Sequence, residues 1–214
     1  MIAIVDYGMG NLRSAQKGFE KAGHVAVITR DPAVIDAAAG VVLPGVGAFK
    51  DCIDGLRERD LVGPVKAAAE SGRPFLGICV GLQLLFDYSE EGEGAEGLGI
   101  FSGRVIRFAP ASETGLKVPH MGWNQLQCAG APGPENLLEY AGPSPYTYFV
   151  HSYHAVPADP AIVRATCTYG ITFPAIIGKD NVFATQFHPE KSQQDGIAIL
   201  RAFGNLVSGM KRVA

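Results

Sequence analysis

"RPFLGICVGLQLLF", Arg73 to Phe86, passes from strand-like to helix-like residues at a cysteine held between two glycines. Phe75 to Ile78 is a short apolar run of the sort that forms a strand covered on both faces, and the leucine-rich run after Gly81 reads as a helix. Cys79 therefore occupies the bend between them. Small residues two before and two after a nucleophile permit a sharp, strained turn that holds its side chain out at the end of the sheet. At a helix N-terminus the dipole favours thiolate, and free backbone N–H groups are available to an oxyanion. Gly77-Ile78-Cys79-Val80-Gly81 also fits a buried cysteine packed as a small hydrophobe, and the pattern alone does not separate the two.

Upstream, strand and helix alternate. "MIAIVDYG" reads as a strand and Asn11 to Ala22 as a helix, with Leu12, Ala15, Phe19 and Ala22 at helical spacing. "HVAVITR" is a strand, and "DPAVIDAAA" a helix with Asp31 as its cap and Pro32 in its first turn. "GVVLPG" is a third strand, followed by helical stretches over Phe49 to Arg59 and Leu61 to Glu70. Such alternation predicts an α/β fold, an open and mostly parallel sheet flanked by helices, with the site at the carboxyl ends of its strands.

Downstream, Glu90 to Gly142 is richer in Gly and Pro and reads as loops with short antiparallel strands such as "GRVIRFA" and "NQLQC". "YTYFVHSYH", "AIVRATCTY", "FPAIIG" and "NVFATQFH" read as further strands. A last helix, Ser192 to Val207, places Ile197, Leu200, Phe203 and Val207 on one face. With no repeat and no long linker, residues 1–214 are expected to form a single domain.

The formal charge of -3 leaves no basic field for nucleic acid. The apolar start meets Asp6 at once and no later run is long enough for a span, so no membrane contact and a cytoplasmic location are expected. Cysteines at 52, 79, 128 and 167 show no metal-site spacing and read as free thiols. No metal and no organic cofactor is called for. Gly8-x-Gly10 begins like a dinucleotide fingerprint, but Arg13 stands where its third glycine belongs.

The partner that Cys79 needs is in "TQFHPEKS". His188 ends a strand-like run, and on an extended backbone Glu190 lies on the same side and can orient its ring. Cysteine, histidine and carboxylate then form a triad of nucleophile, general base and orienter. In "LPGVGAF", Gly45 and Gly47 flank Val46 directly after the third strand and allow a peptide N–H to turn toward a ligand. Beside the N–H of Val80, this Val46–Gly47 loop is a candidate second oxyanion donor. Gln83, four residues after Cys79, lies on the same helical face and can reach a substrate.

"LPGVGAF", "GICVGLQLLF" and "TQFHPEKS", in this order, resemble the class I, or triad, glutamine amidotransferases. "DYGMGNLRS", "VLPGVGAFKDC", "SEEGEG", "GLGIFSGRVIRF", "KVPHMGWNQL" and "YFVHSYHA" carry a narrower resemblance, covering almost the whole chain, to the glutaminase subunits of imidazole glycerol phosphate synthase. The resemblance implies hydrolysis of glutamine through a γ-glutamyl thioester in histidine biosynthesis. It also implies a heterodimer in which ammonia passes to a separate (β/α)8-barrel cyclase, which makes imidazole glycerol phosphate and aminoimidazole carboxamide ribonucleotide. It assigns glutamine binding to Gln83, Gly47 and the backbone at Ser152 and Tyr153, and it places Asn11 and Trp123 toward the cyclase. Val80 stands where leucine is common in the family, but its backbone is the part expected to act. A glutaminase of another amidotransferase, a γ-glutamyl hydrolase, or a silent module on the same fold are the competing readings.

Overall fold

The computed structural model describes residues 1–129, 137–142 and 144–209. Its first half is the expected alternation. Strands β1 (Ile2–Val5), β2 (Ala26–Thr29), β3 (Gly40–Gly45) and β4 (Phe75–Cys79) run parallel. Helices α1 (Leu12–Lys21), α2 (Pro32–Ala37), α3 (Phe49–Glu58) and α4 (Val62–Glu70) connect them. Every residue of β1, β3 and β4 is buried, which is why these strands read as unbroken apolar runs instead of alternating ones. Asp31 caps α2 as expected, accepting the Ala33 N–H at 2.9 Å, with Pro32 in the first turn.

After β4 come α5 (Val80–Gln83), β5 (Phe86–Ser89), β6 (Ala95–Glu96), β7 (Phe101–Arg107), α6 (Ala111–Thr114), β8 (His120–Gln125) and β9 (Gln127–Cys128). Strands β10 (Tyr146–His151), β11 (Tyr153–Pro157), β12 (Val163–Tyr169), β13 (Ile171–Lys179) and β14 (Val182–Thr185) follow, and helix α7 (Gln193–Val207) closes the fold. The main sheet has the order β2-β1-β3-β4-β14-β13-β12-β9. It is parallel from β2 to β14 and antiparallel beyond. Two smaller sheets, β10-β8 and β11-β7-β5-β6, hold the added strands.

The chain returns from the antiparallel edge to put β14 beside β4, so β3, β4 and β14 are adjacent parallel strands. Their carboxyl ends bring three distant loops together, where ligands bind in open α/β sheets. On α7, Leu200 and Phe203 are fully buried, and Phe203 meets Phe19 of α1 and Phe183 of β14 at ring centroid distances of 6.0 and 6.3 Å. No helix among the described residues is long and apolar enough to cross a membrane.

Three local expectations change. The leucine-rich run after Cys79 is a single helical turn, because the Leu84 and Leu85 carbonyls accept the N–H groups of Leu98, Ile100 and Phe101 instead of continuing α5, and the chain enters β5 at Phe86. The run "YTYFVHSYH" is two strands in two different sheets, cut at Ser152, whose carbonyl accepts the Phe108 N–H at 3.0 Å. "NQLQC" is likewise cut at Leu126, which is buried and donates to the Pro145 carbonyl. Residues 130–136 of the expected loop region lie outside the described residues.

Candidate active site

Cys79 has φ 57° and ψ -110°, a conformation outside every region that an L-residue occupies without strain. The two flanking glycines make it attainable. A Cβ on Gly77 would stand 2.7 Å from the Gly81 carbonyl oxygen, and one on Gly81 would stand 1.9 Å from the Leu43 carbonyl oxygen of β3. Both positions are closed by backbone atoms that cannot give way, so a side chain at either would push α5 off the sheet. The turn that presents the thiol is thus held by backbone packed directly on backbone. Because α5 is a single turn, the dipole invoked from sequence is small, and the first-turn N–H groups are what this helix offers.

Gly45 pairs with Cys79 across β3 and β4, which sets the following loop beside the thiol. Gly47 has φ 90°, a value available to glycine at no cost. The loop is tied down from beneath by two buried groups: Tyr7 Oη donates to the Pro44 carbonyl at 2.7 Å, and the Cys52 thiol donates to the Val46 carbonyl at 3.4 Å. Burial is the main cause that pushes the Cys52 thiol up to about 11. That keeps it a neutral donor at neutral pH.

His188 lies three residues beyond the end of β14 and not in the strand, since the chain bends at Gln186 and Phe187. Its backbone is braced from two sides. His188 N–H donates to the Tyr148 carbonyl at 3.0 Å, and its carbonyl accepts the Ser192 hydroxyl at 2.7 Å. Pro189–Lys191 is a 3-10 turn, so Glu190 reaches His188 across a tight turn, not along an extended strand as expected. The contact is as anticipated: Nδ1 lies 2.8 Å from Glu190 Oε1, with both side chains 2% exposed. Gly18 of α1 makes room for this turn, since a Cβ added there would stand 3.3 Å from Glu190 Cβ.

Burial opposes a charged His188 ring, but the Cys79 sulfur and the Glu190 carboxylate outweigh it and raise the histidine from 6.5 to about 10. Nε2 is buried without a well-formed hydrogen bond. A raised folded-state value stabilises the native protein fully below about pH 6.5, and that contribution is lost as pH rises through about 10. The stability gap between the parent and His188→Asn, read from urea midpoints, is therefore expected to narrow steadily over this window. A gap that stays constant would mean that the ring is uncharged at neutral pH.

One cavity of about 590 Å³ gathers most of the sequence-derived candidates: Asn11, Val46, Gly47, Cys79, Val80, Gln83, Ser152, Tyr153 and His188 all line it. That volume suits a small polar metabolite. Glu190 sits behind His188, and Trp123 stands apart on the surface, 47% exposed. Further polar residues that the sequence reading did not assign to the site belong here, His151 and Lys191 among the cavity lining. Glu91 lines the cavity while its Oε2 accepts the Phe49 N–H at 2.7 Å. Gln186 is fully buried, accepts from Gln83 Nε2 at 3.1 Å and brings its own Nε2 to 4.0 Å from Cys79 Sγ. A glutamine inside an otherwise apolar run was a signal for it, whereas Glu91 is indistinguishable in sequence from its solvated acidic neighbours. Among the described residues no group of three or more His, Cys, Asp and Glu side chains could hold a metal ion.

The model of the class-I glutamine amidotransferases matches residues 3–205. The imidazole glycerol phosphate synthase subunit HisH of Syntrophotalea carbinolica is 56% identical over 209 residues, covering 96% of this chain and 100% of the relative. The subunit of the same name from Geobacter sulfurreducens is 52% identical over 208 residues, covering 96% and 98%. Among solved structures, a glutamine amidotransferase superposes with a TM-score of 0.72 at 20% identity, covering 97% of this chain and 100% of that one. PurLQS from Thermotoga maritima gives 0.72 at 21% identity, covering 95% and 97%. These two establish the α/β fold, and the closer sequence relatives establish the lineage. The chain belongs to the class-I glutamine amidotransferase family and, within it, to the HisH subunits of imidazole glycerol phosphate synthase.

Proposed function

We propose that this chain, acting as one domain, hydrolyses glutamine through Cys79, His188 and Glu190 and passes the ammonia to a (β/α)8-barrel cyclase subunit in the cytoplasm. The observation that carries the reading is a strained, cavity-lining Cys79 beside a His188 ring anchored on Glu190 at 2.8 Å. In the reacting form of the site the thiol proton rests on the His188 ring, which its neighbours hold up to about 10.

Cys79 Sγ attacks the side-chain amide carbon of glutamine, and the carbonyl oxygen becomes an oxyanion received by the Val80 N–H and the Val46–Gly47 loop. His188 then gives its proton to the departing nitrogen, because amide ion is too poor a leaving group to go unassisted. Ammonia leaves and a γ-glutamyl thioester remains. The now neutral His188 accepts a proton from water as water attacks the thioester. Collapse releases glutamate and returns the sulfur and ring to their starting charges, while Glu190 fixes the ring throughout.

With both Nε2 hydrogens donated, to the Tyr153 carbonyl at 3.0 Å and to Gln186, Gln83 keeps its Oε1 as an acceptor for substrate. The Glu91 carboxylate supplies the negative charge that an α-ammonium group requires. Asn11 and exposed Trp123 are assigned to the cyclase-facing side, together with Met121, which is 66% exposed.

The test is glutamate release from glutamine by the purified chain, alone and then with a cyclase subunit and its nucleotide ligand. Low release alone and strong stimulation in the complex are expected. Full release by the isolated chain, unaltered by a cyclase, would keep the triad chemistry and overturn the assigned partner.

A further inference from the structure

A chain of hydrogen bonds, buried at its His120–His151 and Gln83–Gln186 links, runs from strand β8 along the cavity wall, which His151, Tyr153 and Gln83 line, to the nucleophile. Asn124 Nδ2 donates to His120 Nε2 at 3.3 Å and to the Thr168 carbonyl at 3.0 Å. His120 Nδ1 lies 3.1 Å from His151 Nε2, and His151 Nδ1 lies 2.8 Å from the Tyr153 carbonyl. That carbonyl also accepts Gln83 Nε2, whose second hydrogen goes to Gln186, the residue in contact with Cys79 Sγ.

The chemistry of each group fixes the direction of every bond. A carbonyl only accepts, so His151 Nδ1 carries a hydrogen, and in a neutral ring Nε2 must then accept. His120 Nδ1 supplies that hydrogen, which leaves His120 Nε2 to accept from Asn124. A proton added to either ring would set two N–H groups against each other or against the Asn124 amide. Burial agrees with this, lowering His120 to about 4 and His151 to about 3. The rings cannot swing away. His120 is stacked between Tyr169 and Phe149 at 4.2 and 4.8 Å, and His151 packs on Phe173 at 5.1 Å.

We propose that His120 and His151 are positioning residues for the substrate site: their neutral pair locks the Tyr153 carbonyl, and that carbonyl holds the Gln83 amide with its oxygen presented as the acceptor. The inference rests on the glutaminase reading above. Without the His151 N–H, the Tyr153 peptide and the Gln83 amide lose a shared anchor, and glutamine meets a site that it must order as it binds. His151 lines the cavity, but its two ring nitrogens are engaged by His120 and the Tyr153 carbonyl and His120 lies behind it, so the loss falls on glutamine affinity.

The readout is protection of Cys79 from iodoacetamide by glutamine in the full chain, which gives an affinity without requiring turnover. His151→Phe keeps the ring and removes the donor, and weakening of about tenfold or more is expected. His151→Asn places Nδ2 where Nδ1 was and is expected to remain within about threefold of the parent, whereas His151→Gln substitutes for Nε2 and should behave like phenylalanine. A role in packing alone would not rank asparagine above glutamine. Thermal melting identifies any variant that does not fold, and the asparagine–glutamine comparison decides the matter if the phenylalanine variant is lost. Equal protection of the parent and a folded His151→Phe, or equal weakening by asparagine and glutamine, overturns the positioning role alone. No protection of the parent by glutamine overturns the glutaminase reading and this inference with it.

Discussion

Replacing Cys79 with alanine is expected to reduce glutamine hydrolysis by about 10³-fold or more, since among the described residues no other thiol lines the cavity. Cys52, the other thiol near the loop, is held as a neutral donor to the Val46 carbonyl and is pushed up to about 11, so it offers no substitute. Under the proposed function, a complex of Cys79→Ala with a cyclase subunit should still form and still make product from added ammonium salts, because neither step uses the sulfur. Loss of the ammonia-driven reaction as well would mean that Cys79 has been given the wrong role. A companion variant tests the strain itself. Cys79→Gly removes the same sulfur but relieves φ 57°, so it should be more stable than Cys79→Ala by about 1 kcal/mol, although glycine ordinarily costs stability relative to alanine. Equal urea midpoints for the two would show that the turn carries no strain.

The strands that position this site were legible in sequence for a physical reason. β1, β3 and β4 are buried on both faces, and continuous apolar runs between helical segments have few other solutions. The α2 cap was equally plain, because Asp31 and Pro32 act through neighbouring backbone. What failed depended on distant partners. Nothing local in "YTYFVHSYH" says that the chain changes sheets at Ser152, since the break is set by pairing of β10 with β8 and of β11 with β7. The one-turn length of α5 is fixed by residues 98–101, which no period in Val80–Phe86 can report. Within the site, the Cys79 bend and the His188–Glu190 pair could be proposed from residue types and short spacings. The His120–His151 pair could not, because their contact is made by strand register: His120 stands opposite His151 across β8 and β10.

Gly81→Ala should be among the most damaging single-methyl substitutions in the chain, costing about 3 kcal/mol or more of stability and removing most glutamine hydrolysis. The added Cβ would sit 1.9 Å from the Leu43 carbonyl oxygen and 3.0 Å from its carbon. Both are backbone atoms of β3, which is paired with β1 and β4 on its two sides and has nowhere to move. Relief must come from α5, and displacing α5 carries away the Val80 N–H and the Cys79 turn together. Gly18→Ala is the informative contrast. Its Cβ would come within 2.6 Å of Leu200, but of the Cδ1 tip of a side chain, which can rotate aside, and its next neighbour, Glu190 Cβ at 3.3 Å, needs to give by only a few tenths of an ångström. Gly18 lies inside α1, where alanine is favoured over glycine by about 1 kcal/mol, so the two terms nearly cancel and the expected change is within about 1 kcal/mol. Urea unfolding of both variants separates closeness of contact from rigidity of what is contacted. If both lose several kcal/mol, any crowding in this core is costly; if neither does, β3 and α5 can part, and the geometry of the Cys79 turn must be maintained by something other than the direct seating of Gly81 on Leu43.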